Sequence, residues 1–178
     1  MAKPTALILT FLLFLLLVWA ASSNFDATAS CRYVTAPQLC TSVAISSAAT
    51  SAKALTVAAV TEAASTAKQV SFAVDAILAH SVTDANQRAT LEVCKRSYES
   101  AVGSLEKAVE KLQSGAGSHG DIIADISAAL TDAGSCRDTF SQNPGMVSPV
   151  AEEASVLKKL VSNSLALASD LGVDTPAD

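Results

Sequence analysis

Apolar residues recur at steps of three and four through four long stretches of the chain, and each series draws one face of a helix. The clearest runs Leu91, Cys94, Tyr98, Ala101, Leu105, Ala108 and Leu112. An earlier series, Val60, Ala63, Ala67, Val70, Val74 and Ile77, follows Ser and Thr residues able to cap a helix start. A third runs Ile122, Ile126, Ala129, Ala133, Cys136 and Phe140, with Asp121 placed near its positive N-terminal end. The fourth, Val150, Ala154, Leu157, Val161, Ala168 and Leu171, is approached through Ser148-Pro149, where proline suits a first helical turn, and is stopped by Gly172. Strand-type alternation is absent over any useful length.

Breakers separate the four series: Ser81 to Asn86, then Ser114 to Gly120 with its three glycines, then Ser141 to Gly145 with Pro144. Short connections between helices of similar length favour antiparallel neighbours. The expected fold is therefore all-α, an up-down-up-down four-helix bundle. The many alanines at inward positions let the helices approach closely. Ser30 to Ser47 precedes the bundle as an extra piece, two short helical stretches that turn at Pro37 and are tied by Cys31 and Cys40, an N-terminal helical hairpin.

The N-terminus changes the cellular address. Lys3 followed by the apolar run Ala6 to Ala20, broken only by Thr10, has the charge and length of a signal peptide rather than a membrane span. Residues 1–23 are assigned to it, with cleavage between Ala20 and Ser30, and residues 24–178 to a single domain. No second apolar run of membrane length follows, and the polar Asp174 to Asp178 does not resemble a lipid-anchor signal. The expected product is secreted and soluble. Without Lys3, the 12 basic residues fall to 11 against 17 acidic, a net charge of −6 with no basic block. That balance argues against nucleic acid or an anionic membrane as partner.

On an oxidising route, Cys31, Cys40, Cys94 and Cys136 read first as disulfides. Four cysteines allow three connectivities, of which proximity favours Cys31 with Cys40 and Cys94 with Cys136. A zinc site is disfavoured because no two cysteines are two to four residues apart and His80 and His119 stand alone. No cofactor is expected.

Catalytic patterns are equally thin, so the chain is not expected to be an enzyme. The serines lack a nucleophile-elbow context. His80 closes the first long helix, and His119 reads as a solvated side chain in a Gly-rich loop. Glu106 with Glu110, and Asp121 with Asp125, lie one turn apart, but no Glu-x-x-His motif accompanies them. They read as solvated helix faces, with Lys107 and Lys111 interleaved. Gly115-Ala116-Gly117 lacks a phosphate-loop lysine and follows a helix. Binding to another protein remains as the function class.

The cysteine framework and its neighbours add specific information. Cys31-Arg-Tyr-Val-Thr-Ala-Pro37-Gln-Leu39-Cys40, Leu91-Glu-Val-Cys94 through Tyr98 to Leu105, Ser127-Ala128-Ala129 through Asp132 and Cys136 to Phe140, and Ser148-Pro149 resemble, in this order, the plant invertase and pectin methylesterase inhibitor family. The resemblance covers essentially the whole mature chain. It implies a hairpin beside a four-helix bundle, first-with-second and third-with-fourth cysteine pairing, and a protein of the apoplast, or cell wall, that blocks a carbohydrate-active enzyme. Asn163 fits a late family asparagine, whereas Glu153 and Ala154 stand where an early one is common, and Ser135 replaces the commoner Thr.

Invertase inhibitors that the chain is similar to carry a Pro-Lys-Phe tripeptide ahead of the third long helix. Here that region reads Ser114-Gly-Ala-Gly-Ser-His119-Gly120, which favours pectin methylesterase, in a 1:1 complex over its substrate cleft, over acid invertase of cell wall or vacuole. On this reading the working surface is the outward side of the second and third long helices, where Lys95, Glu99, Glu106, Ser127, Thr131 and Asp132 fall outside or beside the apolar rows. The competing readings are a diverged extracellular domain without an enzyme target and a ligand-carrying bundle, which needs a stable apolar cavity.

Overall fold

The computed structural model describes residues 25–143 and 145–172, so the signal segment, Pro144 and the C-terminal tail lie outside it. Six helices follow one another: α1 Ala27–Ser30, α2 Pro37–Ser47, α3 Ala52–His80, α4 Ala85–Ser114, α5 His119–Ser141 and α6 Ala151–Leu171. No strand occurs among the described residues.

Helices α3 to α6 form the bundle, each packed on two neighbours in the ring α3, α4, α5, α6. Cross-links give the directions. Lys68 of α3 meets Glu106 of α4 while Asp75 meets Lys95, so the numbering on the two helices runs in opposite senses. Cys94 meets Cys136 while Lys111 meets Asp125, so α4 and α5 are antiparallel as well.

All seven residues of the clearest apolar series are buried on α4. On α3, α5 and α6 the series face the same core, with Ile77, Ile122 and Leu171 at its half-buried margins. Much of the core is alanine, including Ala63 and Ala67, Ala101 and Ala108, Ala129 and Ala133, and Ala168. Small side chains allow close backbone approach but bury little apolar area, since each missing methylene forgoes about 0.8 kcal/mol.

Two disulfides supplement this thin core. Cys94–Cys136 joins α4 to α5 with the Cα atoms 4.5 Å apart, and Cys31–Cys40 joins the C-terminal end of α1 to the first turn of α2 at 5.5 Å. The hairpin is also held to the bundle by a buried amide: Asn163 of α6 donates to the Ala36 carbonyl and accepts from the Ala36 N–H, both at 2.8 Å. Beside it the Thr35 and Ser162 hydroxyls are 2.7 Å apart. The chain then reverses sharply into α3, at 108° to α2, through Ala48 in the left-handed region (φ 48°).

Helix starts differ from the sequence expectation where capping chemistry had been read as loop. Ala85 and Asn86 belong to α4 because the Asp84 carboxylate accepts from the Gln87 N–H at 2.7 Å. Arg88 closes the same corner by donating to the carbonyls of Leu78 and Val82. His119 and Gly120 belong to α5, where Ser118 and Asp121 form a reciprocal capping box. His119 is exposed, as expected, yet its ring stands where a Cβ on Gly172 would project, so it lies against the end of α6. Pro149 lies outside α6, one residue ahead of the N-cap Val150, rather than in the first turn.

Tyr98 is a local misfit. Its side chain is fully buried and its hydroxyl has no partner among the described residues. Burial, with a smaller contribution from the Glu153 charge, pushes the phenol up to about 12. The group therefore stays neutral and carries an uncompensated desolvation cost.

Two stability outcomes follow from this core. Tyr98→Phe keeps the ring and removes the unpartnered oxygen, so urea denaturation should move to higher midpoint, by up to about 1 kcal/mol in stability. Replacing Cys94 and Cys136 together by alanine should cost roughly 4 kcal/mol in the chain-entropy account, against somewhat under about 3 for Cys31 with Cys40. The same titrations measure the order of the two losses.

Candidate functional site

Three of the six sequence-nominated residues gather on the seam between α3 and α4. Lys95 places its ammonium 2.6 Å from Asp75 and 3.7 Å from Glu99. The hydrogen bond to Asp75 is the main cause that holds this ammonium above its ordinary value of 10.5. Two turns further on, Glu106 pairs with Lys68 at 2.6 Å. The partners Asp75 and Lys68 come from another helix and carried no signal of their own in the sequence.

Between the two ion pairs the seam presents Phe72, which is 74% exposed. It stands four residues after Lys68 and three before Asp75, hence on the same face of α3. Beyond the Lys68–Glu106 pair the seam dips into a shallow hollow of about 310 Å³ lined by Thr61, Ala64, Ser65 and Val109 as well as the pair itself. An exposed aromatic ring beside a hollow, ringed by paired charges, has the anatomy of a protein-binding patch: an apolar anchor inside a polar rim. The isolated periodicity of α3 gave Phe72 no role, because only the neighbouring helix shows what surrounds it.

The other three nominated residues lie apart, on α5. Thr131 is exposed and donates to the Ser127 carbonyl one turn earlier at 3.1 Å, while Ser127 and Asp132 are half-buried. No hydrogen bond or ion pair among the described residues joins them to the α3–α4 group. The reason is the helical wheel. Lys95, Glu99 and Glu106 fall within about 40° of one another on α4, whereas Lys111, which reaches α5 through Asp125, lies about 140° further round. Two edges of α4 therefore serve two different seams.

The connection between α4 and α5 is short and exposed. Gly115 and Gly117 take positive φ values of 70° and 104°, the Lys111 stem lies against Gly117, and Ser118 then caps α5. Asp121 accepts from both the Ser118 N–H and hydroxyl. These bonds, the hydroxyl first, hold its carboxyl below the usual 3.8. Asp26, which caps α1 through Thr28 and Ala29, is lowered for the same reason. Among the described residues no three His, Cys, Asp or Glu side chains converge as a metal site would require. No single described helix is long and apolar enough to cross a membrane.

The described residues thus form a disulfide-stapled helical bundle with a flanking hairpin and a surface patch of mixed charge on the α3–α4 seam. Residues 26–167 match the family model described as plant invertase/pectin methylesterase inhibitor, and the chain belongs to that family. The family is one of enzyme inhibitors. The fold is similar to that of a crystal structure of mutant form A of a pectin methylesterase inhibitor from Arabidopsis, with a TM-score of 0.71 and 23% identity over 86% of this chain and 100% of that one. It is also similar to a crystal structure of a pectin methylesterase inhibitor from Arabidopsis thaliana, with a TM-score of 0.62 and 24% identity over 85% of this chain and 97% of the other. No curated protein matches the sequence.

The capping box makes a pH-dependent contribution that can be isolated. Because the folded carboxyl of Asp121 titrates below its unfolded value, its stabilisation is fully present above 3.8 and is lost as pH falls through the lowered folded value. Thermal melting should therefore find Asp121→Asn less stable than the parent at neutral pH, with the gap closing well below pH 3.8. A gap that is constant with pH would contradict the charge-assisted cap.

Proposed function

We propose that this chain is a secreted inhibitor of pectin methylesterase that binds the enzyme one to one and covers its substrate cleft. Family membership supports an inhibitor role. The observation that carries the choice of target is the α4–α5 connection, a short turn from Gly115 to Ser118 in the region where the related invertase inhibitors have their inserted tripeptide. With no such probe on the loop, inhibition falls to the surface of the bundle.

The α3–α4 seam is the surface assigned to the enzyme. Phe72 supplies the anchor, and Lys68, Asp75, Lys95, Glu99 and Glu106 supply a rim whose charged contacts set orientation and salt sensitivity. Ser127, Thr131 and Asp132 on α5, which lie apart from this seam, are assigned to a separate contact with the same enzyme. Residues 1–23 direct secretion and are removed by cleavage between Ala20 and Ser30. The paired state of all four cysteines fits an oxidising apoplast, or cell wall, as the working site.

Purified, oxidised protein titrated into a plant pectin methylesterase at mildly acidic pH should abolish ester hydrolysis at a 1:1 ratio. Acid invertase assayed in parallel should stay active. Inhibition of invertase alone would move the chain to the other target class of its family, and inhibition of neither would defeat the proposal. Phe72→Ala should weaken inhibition by about tenfold or more, as loss of an aromatic anchor does. Unchanged inhibition by that variant would take the α3–α4 seam out of the interface.

A further inference from the structure

On the opposite flank, α5, α6 and the segment that joins them enclose an open groove of about 630 Å³. Leu130, Ala133 and Phe140 of α5, Ala154 of α6, and Met146 and Val147 of the connection form its apolar walls. Val147 is 79% exposed there, although nothing in a loop requires a valine to face water. The volume falls within the range of small-molecule sites, about 300–1,000 Å³.

The charge on this groove is the reverse of the chain's. Three cations, Arg137, Lys158 and Lys159, line it with no carboxylate among the described residues, in a protein of net charge −5. Arg137 is partly neutralised by its neighbour Asp138 at 3.0 Å. Neither Lys158 nor Lys159 has an ion pair or hydrogen bond among the described residues. The Lys158 ammonium reaches across to α5, where a Cβ on Gly134 would lie only 3.7 Å from it. Lys158 is half-buried and Lys159 exposed, and two neighbouring ammonium groups without a counter-charge at the edge of an apolar groove attract an anion.

The hydroxyls sharpen the placement. Those of Thr35 and Ser162 bond each other, Ser141 donates to the Asp138 carbonyl, and Ser148 accepts from the Val150 N–H. Among the described lining residues, Ser155 is the one hydroxyl without an internal bond. It shares one face of α6 with Lys158 and Lys159 by its three- and four-residue spacing. The free polar groups are thus concentrated in one place, and the apolar walls lead away from it.

We propose that this groove binds a long-chain carboxylate, its head between Ser155, Lys158 and Lys159 and its chain along Phe140, Met146 and Val147. A single-headed amphiphile fits better than a peptide. The backbone groups of α5 and α6 are spent within their own helices, so the groove offers an extended peptide no ladder of main-chain partners. Charge complementarity selects the anionic head, and the walls select the chain.

Calorimetric titration of the oxidised protein with dodecanoate, kept below its micellar concentration, tests this without any enzyme and so independently of the inhibitor proposal. Saturation at one site is expected, with much weaker binding of acetate and of dodecyltrimethylammonium. The double substitution Lys158→Glu with Lys159→Glu, at positions outside the core, should lower affinity for dodecanoate at least about tenfold while leaving the melting transition in place. Ala151→Trp, at an exposed lining position, should obstruct the groove in the same fold. No saturable binding, equal affinity for the cationic amphiphile, or unchanged binding by both variants would overturn the proposal. Binding seen only on phosphatidylglycerol vesicles would also overturn it, replacing a groove ligand by a membrane surface.

Discussion

The Cys94–Cys136 bond lies at the centre of this structure. It joins α4 to α5 from inside the core, where buried alanines stand on both helices, at a Cα separation of 4.5 Å. The alanines that allow this approach are also the reason a bond is needed. They bury too little apolar area to hold long helices together with the margin that leucine or phenylalanine would give. A covalent link closing a loop of this length limits the unfolded ensemble instead. The hairpin repeats the solution on a smaller scale, with Cys31–Cys40 closing it and the Asn163 amide fastening it to α6.

Register follows from that bond, and surface chemistry follows from register. With α4 fixed against α5, its other edge meets α3 so that Lys95 faces Asp75 and Glu106 faces Lys68. Phe72 is thereby left standing between two ion pairs instead of being covered. These charges individually add little to stability, because solvent screens exposed pairs. They do fix a defined pattern of charge along the seam. On the far side, α5, α6 and the Met146–Val147 segment line a cationic, apolar-walled groove. One narrow bundle therefore carries two chemically unlike surfaces, a mixed-charge ridge with an aromatic anchor and a groove suited to an anion.

The helices were legible because burial imposes a period. Each series from Val60 to Leu171 faced the core as its spacing required, and the hairpin turned at Pro37, which stands in the first turn of α2. The boundaries were less legible where a polar residue serves two descriptions. Asp84 and Ser118 look like loop residues, yet their oxygens cap helices and so move Ala85, Asn86, His119 and Gly120 into regular structure. Pro149 erred in the other direction, being compatible with a first turn that starts two residues later. On the surface, Lys95, Glu99 and Glu106 could be named from the sequence, but Lys68, Asp75 and Phe72 could not be joined to them. Nor could Ser127, Thr131 and Asp132 be recognised as standing on a separate edge.

The sequence by itself determined an all-helical chain with two staples and a family. Helical period, breaker residues and cysteine spacing are properties of neighbours along the chain, within reach of a single strand of text. Tertiary structure alone decided which charges pair, which aromatic ring stays exposed and where a groove opens. Those depend on the distance and rotation between helices, which the spacing of residues along a single helix does not record.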